Sequence, residues 1–170
     1  LTSSASAVQA TVQIEHFDAK KQSTGSGEVV LKCENGVFYL DMQSYLQGME
    51  SYEDMELTIE GGKLALPASM KAGDMLENGD MTMTVSAGGV KIMAITVTIS
   101  NRRVEAVESL TTPAGTFECY KISYDVATKM MGTQQTKGVE WYARNIGLIR
   151  QETYDAKGKL AGYTLLTAVK

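Results

Sequence analysis

Apolar and polar residues alternate with period two along most of the chain, the pattern of strands that bury one face and wet the other. The clearest unit spans residues 29–42. Its Asn35-Gly36 pair suits a two-residue type I′ turn, which sets Cys33 opposite Phe38, Leu31 opposite Leu40 and Val29 opposite Met42. All six share one face, while Lys32, Glu34 and Tyr39 take the other, so turn chemistry and hydrophobic register agree independently. Before it, residues 11–17 alternate as an edge strand with Val12, Ile14 and His16 on one side, and 18–27 read as a polar loop. After it, 43–52 lack alternation and read as a loop or one helical turn.

Met55, Leu57 and Ile59 predict the next strand, which Gly61-Gly62 closes and Leu64 and Leu66 follow back until Pro67. Residues 68–79 form a connector, irregular enough around Met70, Gly73 and Met75 to line a rim or cover an open end of a sheet. A two-residue turn at Gly88-Gly89 would set Met83 against Ala94 and Met81 against Thr96, placing methionines with polar partners. A three-residue loop with a bulge instead pairs Val85 with Met93, Met83 with Ile95 and Met81 with Val97, and is the register expected. Residues 102–110 continue as a further strand.

Thr112-Pro113-Ala114-Gly115 has proline where a type I turn wants φ preset. Beyond it, 117–126 form a long strand with an apolar even face. Val139, Trp141 and Ala143 oppose Glu140, Tyr142 and Arg144 in a second strand. Residues 148–154 make a third, Asp155-Ala156-Lys157-Gly158 a type I turn with a glycine bulge, and 160–169 the last. The polar stretch 128–137 between the first two reads as a loop. These four strands form one antiparallel meander. Eleven or twelve short strands with regular turn signals predict an all-β fold: a strongly curved antiparallel sheet forming an open or flattened barrel, with a two-sheet sandwich as the alternative. Residues 1–10 are expected to be a flexible N-terminal segment and 11–170 a single all-β domain.

The run TPAGTFECYKI from Thr112, followed by EWYARNIGLIRQETYDAKGKL from Glu140, resembles a family of small bacterial envelope proteins common in gut Bacteroidetes, the domain-of-unknown-function 3108-like group. The resemblance covers mainly the C-terminal half. It implies a curved antiparallel β architecture exported to the periplasm or outer membrane, and brings no catalytic residues with it. The Ser-, Thr- and Ala-rich opening, with Ala5-Ser6-Ala7 in the small-residue pattern of a cleavage site, fits a removed signal or lipid anchor equally well as a cytosolic chain with a floppy start; the resemblance favours export.

Composition narrows the function mainly by exclusion. A net charge of −4 with scattered cations, adjacent only at Lys20-Lys21 and Arg102-Arg103, argues against a nucleic-acid surface. No apolar run approaches the roughly 18 residues that a spanning helix needs. His16 is the only histidine and has neither a nucleophile nor further ligands beside it in sequence, so no cofactor or metal is expected. Cys33 and Cys119 lack a CxxC spacing. They could pair in an exported protein if their Cα atoms came within about 7 Å, or stay as free thiols that pack as small hydrophobes. The ten methionines admit soft-metal or apolar-ligand binding, but Met42, Met55, Met81, Met83 and Met93 fall on apolar strand faces, as core packing requires; Met130-Met131 fall in a polar loop and are expected to be exposed.

Three functional readings follow. Tyr120, Tyr124, Trp141, Tyr142 and Tyr163 could stack against sugars or hold an apolar or amphipathic ligand in the barrel, or equally form the core of the meander; alternation sends Trp141 and Tyr142 to opposite faces. Glu118, Glu140 and Glu152, on neighbouring strands, could converge for acid–base hydrolysis, or form ordinary cross-strand pairs with Lys121, Arg144 and Arg150. A free sheet edge could dock an envelope protein. The non-enzymatic ligand carrier is the reading preferred.

Overall fold

A computed structural model describes the backbone over residues 8–18, 20–34, 37–41, 56–67, 69–144 and 146–168; before residue 56, side chains are described only at 17, 18, 20–23, 25 and 39. Its strands are β1 (Val8–Asp18), β2 (Ser23–Glu34), β3 (Val37–Asp41), β4 (Glu56–Gly61), β5 (Lys63–Pro67), β6 (Gly79–Ala87), β7 (Val90–Thr112), β8 (Gly115–Lys129), β9 (Thr133–Ala143), β10 (Gly147–Tyr154) and β11 (Leu160–Leu165). They form one antiparallel sheet in the order β4-β6-β7-β8-β9-β10-β11-β1-β2-β3-β5. The described residues include no helix.

The two outermost strands, β4 and β5, are consecutive in the chain and separated by Gly62 alone. Two Cα–Cα steps reach at most about 7.6 Å, so the sheet curls until its edges meet at this corner. No ladder joins β4 to β5, because β4 pairs with β6 and β5 with β3. The curl is therefore open, which corrects both the barrel and the sandwich expectations, and the Gly61-Gly62 pair crosses a seam rather than turning a hairpin. Gly61 has φ +76, and a Cβ there would lie 2.4 Å from the Asp80 carbonyl oxygen, the same oxygen that accepts from the Gly62 N–H at 2.8 Å. Only glycine fits that crossing.

Several registers match the alternation pattern. Leu31 faces Leu40 and Cys33 faces Phe38; Asn35, Gly36 and the expected Val29–Met42 pair lie outside the described residues, as does 43–52. Met81↔Val97, Met83↔Ile95 and Val85↔Met93 also form as expected, by a different device. Gly88-Gly89 makes a two-residue turn with φ +56 and +77, and the extra residue is Ile92, bulged between Lys91 and Met93. Thr112↔Gly115 closes the Pro113-Ala114 turn, and Asp155 with Gly158 closes the last hairpin. The four-strand C-terminal meander is as read.

Polar composition misled in two places. Within 18–27 only a tight turn interrupts the strands: the Asp18 Oδ1 accepts the N–H groups of Lys20 and Gln22, and β2 starts at Ser23. Within 128–137 the interruption shrinks to Met130-Met131-Gly132, because β8 and β9 pair as far as Lys129↔Thr133. β1 also begins at Val8, three residues earlier than expected, and pairs with β11, so the first and last strands are neighbours.

The concave side holds Leu64, Leu66, Met81, Met83, Ile99, Val104, Ile122, Tyr124, Tyr142 and Leu148. The connector 69–78 runs along the part of β7 beyond its ladder with β6: Met75 bridges Arg103, Gly73 and Leu76 donate to the carbonyls of Val104 and Arg102, Val104 donates to Asp74, and Met70 and Leu76 pack on the core. The seam carries a testable consequence. Gly61→Ala adds a backbone clash to its φ penalty, whereas Gly73→Ala, at φ +95 in open space, adds the φ penalty alone. Urea denaturation is expected to show both destabilised, by about 1–2 kcal/mol for Gly73→Ala and at least about 1 kcal/mol more for Gly61→Ala; equal losses would mean that the seam does not constrain the fold.

Candidate functional site

The chemistry of the sheet is set by a bulge in β7. Up to Ile99 its inward residues are odd-numbered; at Asn101, where φ is +53, the register with β8 jumps from Ser100↔Asp125 to Arg103↔Ser123, and the inward residues become Arg102 and Val104. Of two adjacent arginines, one is thereby 2% exposed and the other lies in solvent. Arg102 Nη1 donates to the carbonyl of Glu77 at 2.7 Å and to that of Ala65, on β5, at 3.2 Å. Burial lowers its pKa from the ordinary arginine value, and the negative charge of Glu140 opposes that.

Glu140, on β9, is the other buried charge among the described residues. It accepts from the Tyr124 hydroxyl at 2.7 Å and from Gln151 Nε2 at 2.9 Å, and the same nitrogen reaches the Tyr124 oxygen at 2.9 Å. Register assembles this cluster: Ile122 faces Glu140, which faces Gln151 on β10, and Tyr124 faces Gly138. A Cβ at Gly138 would fall 2.2 Å from the Tyr124 ring, so glycine is what lets the tyrosine lie down across β9 and point at Glu140. Burial raises the Glu140 pKa above the carboxylate range; hydrogen bonds from Tyr124 and Tyr142 and the charge of Arg102 pull the other way.

The convex face is different. Trp141 stacks under Lys121 and donates to Glu108, which Lys121 also approaches at 3.7 Å. Arg150 lies 4.8 Å from the Tyr163 ring centre and pairs with Glu152 at 2.7 Å; Tyr163 stacks on Phe17. The Tyr154 hydroxyl donates to Glu152, and that bond raises the tyrosine's pKa. Beside this band lies a groove of about 540 Å³, lined by Met75, Asn101, Arg103, Glu105, Ser123, Asp125, Lys137, Val139 and Tyr154 among others. Asn101 donates to Asp125 at 2.8 Å and Ser123 to Glu105 at 2.5 Å.

The five aromatics singled out from sequence therefore do not converge. Tyr120, Tyr124 and Tyr142 take the concave side, the latter two buried and Tyr124 with its hydroxyl on Glu140, while Trp141 and Tyr163 belong to the convex band. Nor do the carboxylates: Glu140 and Glu152 are on opposite faces and Glu118 is exposed toward the far end of β8. Of the ion pairs expected, Arg150–Glu152 forms within one strand, and Lys121 turns to Glu108. Cys119 is a free, fully buried thiol, so the bridge to Cys33 is not made; burial pushes its pKa up to about 11. The His16 and Cys33 side chains lie outside the described residues. Among those described, no group of three or more His, Cys, Asp or Glu side chains is placed to hold a metal. Met81 and Met83 are buried, as packing required, and Met130 and Met131 are exposed. The groove residues escaped sequence reading because the bulge that places Arg103 opposite Ser123 has no signal beyond Asn101.

A model of the DUF3108-like family matches residues 1–166. The chain belongs to that family. Two crystal structures share the family member's fold. One is of "a putative lipoprotein" from Parabacteroides distasonis ATCC 8503, with 24% identity, 94% of each chain covered and a TM-score of 0.73. The other is of "a putative exported protein with YMCC-like fold" from Bacteroides fragilis NCTC 9343, with 21% identity, 95% of each chain covered and a TM-score of 0.69. Among curated protein sequences none matches significantly.

The raised pKa of Glu140 gives the family member a pH-dependent stability of definite sign. An unfolded glutamate titrates near about 4.3 and the folded one higher, so the native state holds the extra proton between the two values and stability falls as pH rises through that window. Glu140→Gln is expected to flatten the dependence of unfolding free energy on pH between 4 and 8 by up to about 1.4 kcal/mol per pH unit, the slope one proton carries. An unchanged slope in chemical denaturation would show that Glu140 titrates normally.

Proposed function

We propose that this DUF3108-like protein is an exported, non-enzymatic binding protein of the cell envelope that holds a small amphipathic ligand in the convex groove. The observation carrying the reading is where accessible chemistry converges. Four strands and the connector bring Arg103, Lys137, Asp125 and Glu105 to the rim of a depression with Tyr154, Val139 and Met75 as its apolar surface. Its volume of about 540 Å³ falls within the range of small-molecule sites. Charges of both signs beside apolar surface suit a ligand with a polar, charge-bearing head and a short apolar part. The names of the two structural neighbours support export.

This keeps the amphipathic ligand expected from sequence and moves it from the concave side to the convex one. On the concave side Tyr124 spends its hydroxyl on Glu140, and the rings of Tyr124 and Tyr142 are part of the core. The carboxylate hydrolase draws no support from Glu118, Glu140 and Glu152, since Glu140 and Glu152 point to opposite faces and Glu118 is exposed toward the far end of β8.

The test is native mass spectrometry of protein purified from its own host's envelope, followed by denaturing extraction. An amphipathic molecule is expected near one-to-one stoichiometry, with occupancy at least tenfold lower in Arg103→Glu/Lys137→Glu, because each charge-assisted hydrogen bond contributes about 1.5–3 kcal/mol. Bare protein, or a ligand that the double variant retains, would overturn the groove.

A further inference from the structure

Among the described residues, the four most exposed large apolar side chains outside the groove lie toward one end of the sheet. Val90 and Ile92 flank the β6–β7 turn, with 67% and 59% exposure, and Met130 and Met131 form the β8–β9 turn, with 51% and 94%. The turns are neighbours. Thr96 faces Lys129, so continuing the register places Met130 and Met131 beside residues 94–95 of β7, with Ile92 two residues further out. Neither turn needs a partner to fold: Ala87 faces Val90 across Gly88-Gly89, and the Met130 N–H is bonded to the Gly132 carbonyl at 3.0 Å.

Charge selects the occupant. Residues 87–93 and 129–133 contain Lys91 and Lys129 and no carboxylate, whereas the whole chain carries a net charge of −4. Two hairpin tips that combine apolar side chains with ammonium groups, Lys91 between Val90 and Ile92 and Lys129 just behind Met130 and Met131, have the layout of an interfacial anchor, with apolar side chains entering the headgroup boundary and lysines snorkelling to anionic lipid. Methionine, flexible and polarizable, suits a disordered acyl boundary better than a shaped protein pocket. We infer that the β6–β7 and β8–β9 tips dock this protein onto an anionic lipid bilayer surface. The inference is independent of the groove, which other residues line.

The test is co-sedimentation with vesicles of phosphatidylethanolamine and phosphatidylglycerol at 3:1, with phosphatidylcholine vesicles as comparison, and NMR of methionine methyls with spin-labelled lipid. Preferential binding to the anionic vesicles is expected, with selective broadening of the Met130 and Met131 methyls. Ile92→Asp/Met131→Asp should weaken binding at least tenfold, and Lys91→Glu/Lys129→Glu about fivefold or more for each charge; near-UV circular dichroism establishes that both variants fold. Three outcomes overturn the inference: no sedimentation with anionic vesicles, binding that the tip substitutions leave unchanged, or a self-associated species in sedimentation velocity that the same substitutions disperse.

Discussion

A guanidinium shut away from water must have its charge answered and its hydrogens accepted, and Arg102 imposes that requirement on the whole sheet. Its Nη1 takes one carbonyl from β5 and one from the connector, and Glu140 on β9, when ionised, adds an opposing charge. These elements are far apart in strand order, since β5 is the last strand and β7 the third. A flat sheet could not bring them together. The curl that closes over the core and the pairing of a buried arginine are therefore one constraint. The bulge at Asn101 is its local origin, because without the register jump Arg102 would point outward and Arg103 inward.

The same logic divides the labour of the two faces. Buried polar groups are costly unless hydrogen-bonded, and the concave side spends Tyr124 and Gln151 on Glu140. Polar residues so engaged have little left to offer a ligand. The convex face keeps charges of both signs at an accessible groove, with Trp141 and Arg150 held beside it by Glu108 and Glu152.

Sequence carried the local rules further than the global ones. Alternation and turn chemistry fix which residues oppose one another, so Leu31↔Leu40, Met83↔Ile95 and the C-terminal meander were legible. The Gly88-Gly89 register was reached although its device differed, because burying Met81 and Met83 constrains the pairing more strongly than turn length does. What could not be read was any event that changes parity or partner. Asn101 reverses the faces of β7, and Gly62 sends consecutive strands to opposite edges, and neither leaves a mark in composition. The candidate groove depends on the first of these events, so it stayed hidden while the aromatics drew attention to residues that the core had already taken.

An open curl leaves two edge strands, and edges invite pairing with other chains. β4 presents exposed Glu56, Thr58 and Glu60, and β5 begins with exposed Lys63 and ends at Pro67, a residue that edge strands accommodate and central ones do not. Arg102 and the Gly62 crossing also hold β5 close to β6 and β7, which leaves little room for another strand to enter the seam. Charge, proline and the near-closure together discourage strand addition. This weighs against an assembly role through the sheet edge, and neither the proposed groove nor the proposed hairpin-tip contact makes use of that edge.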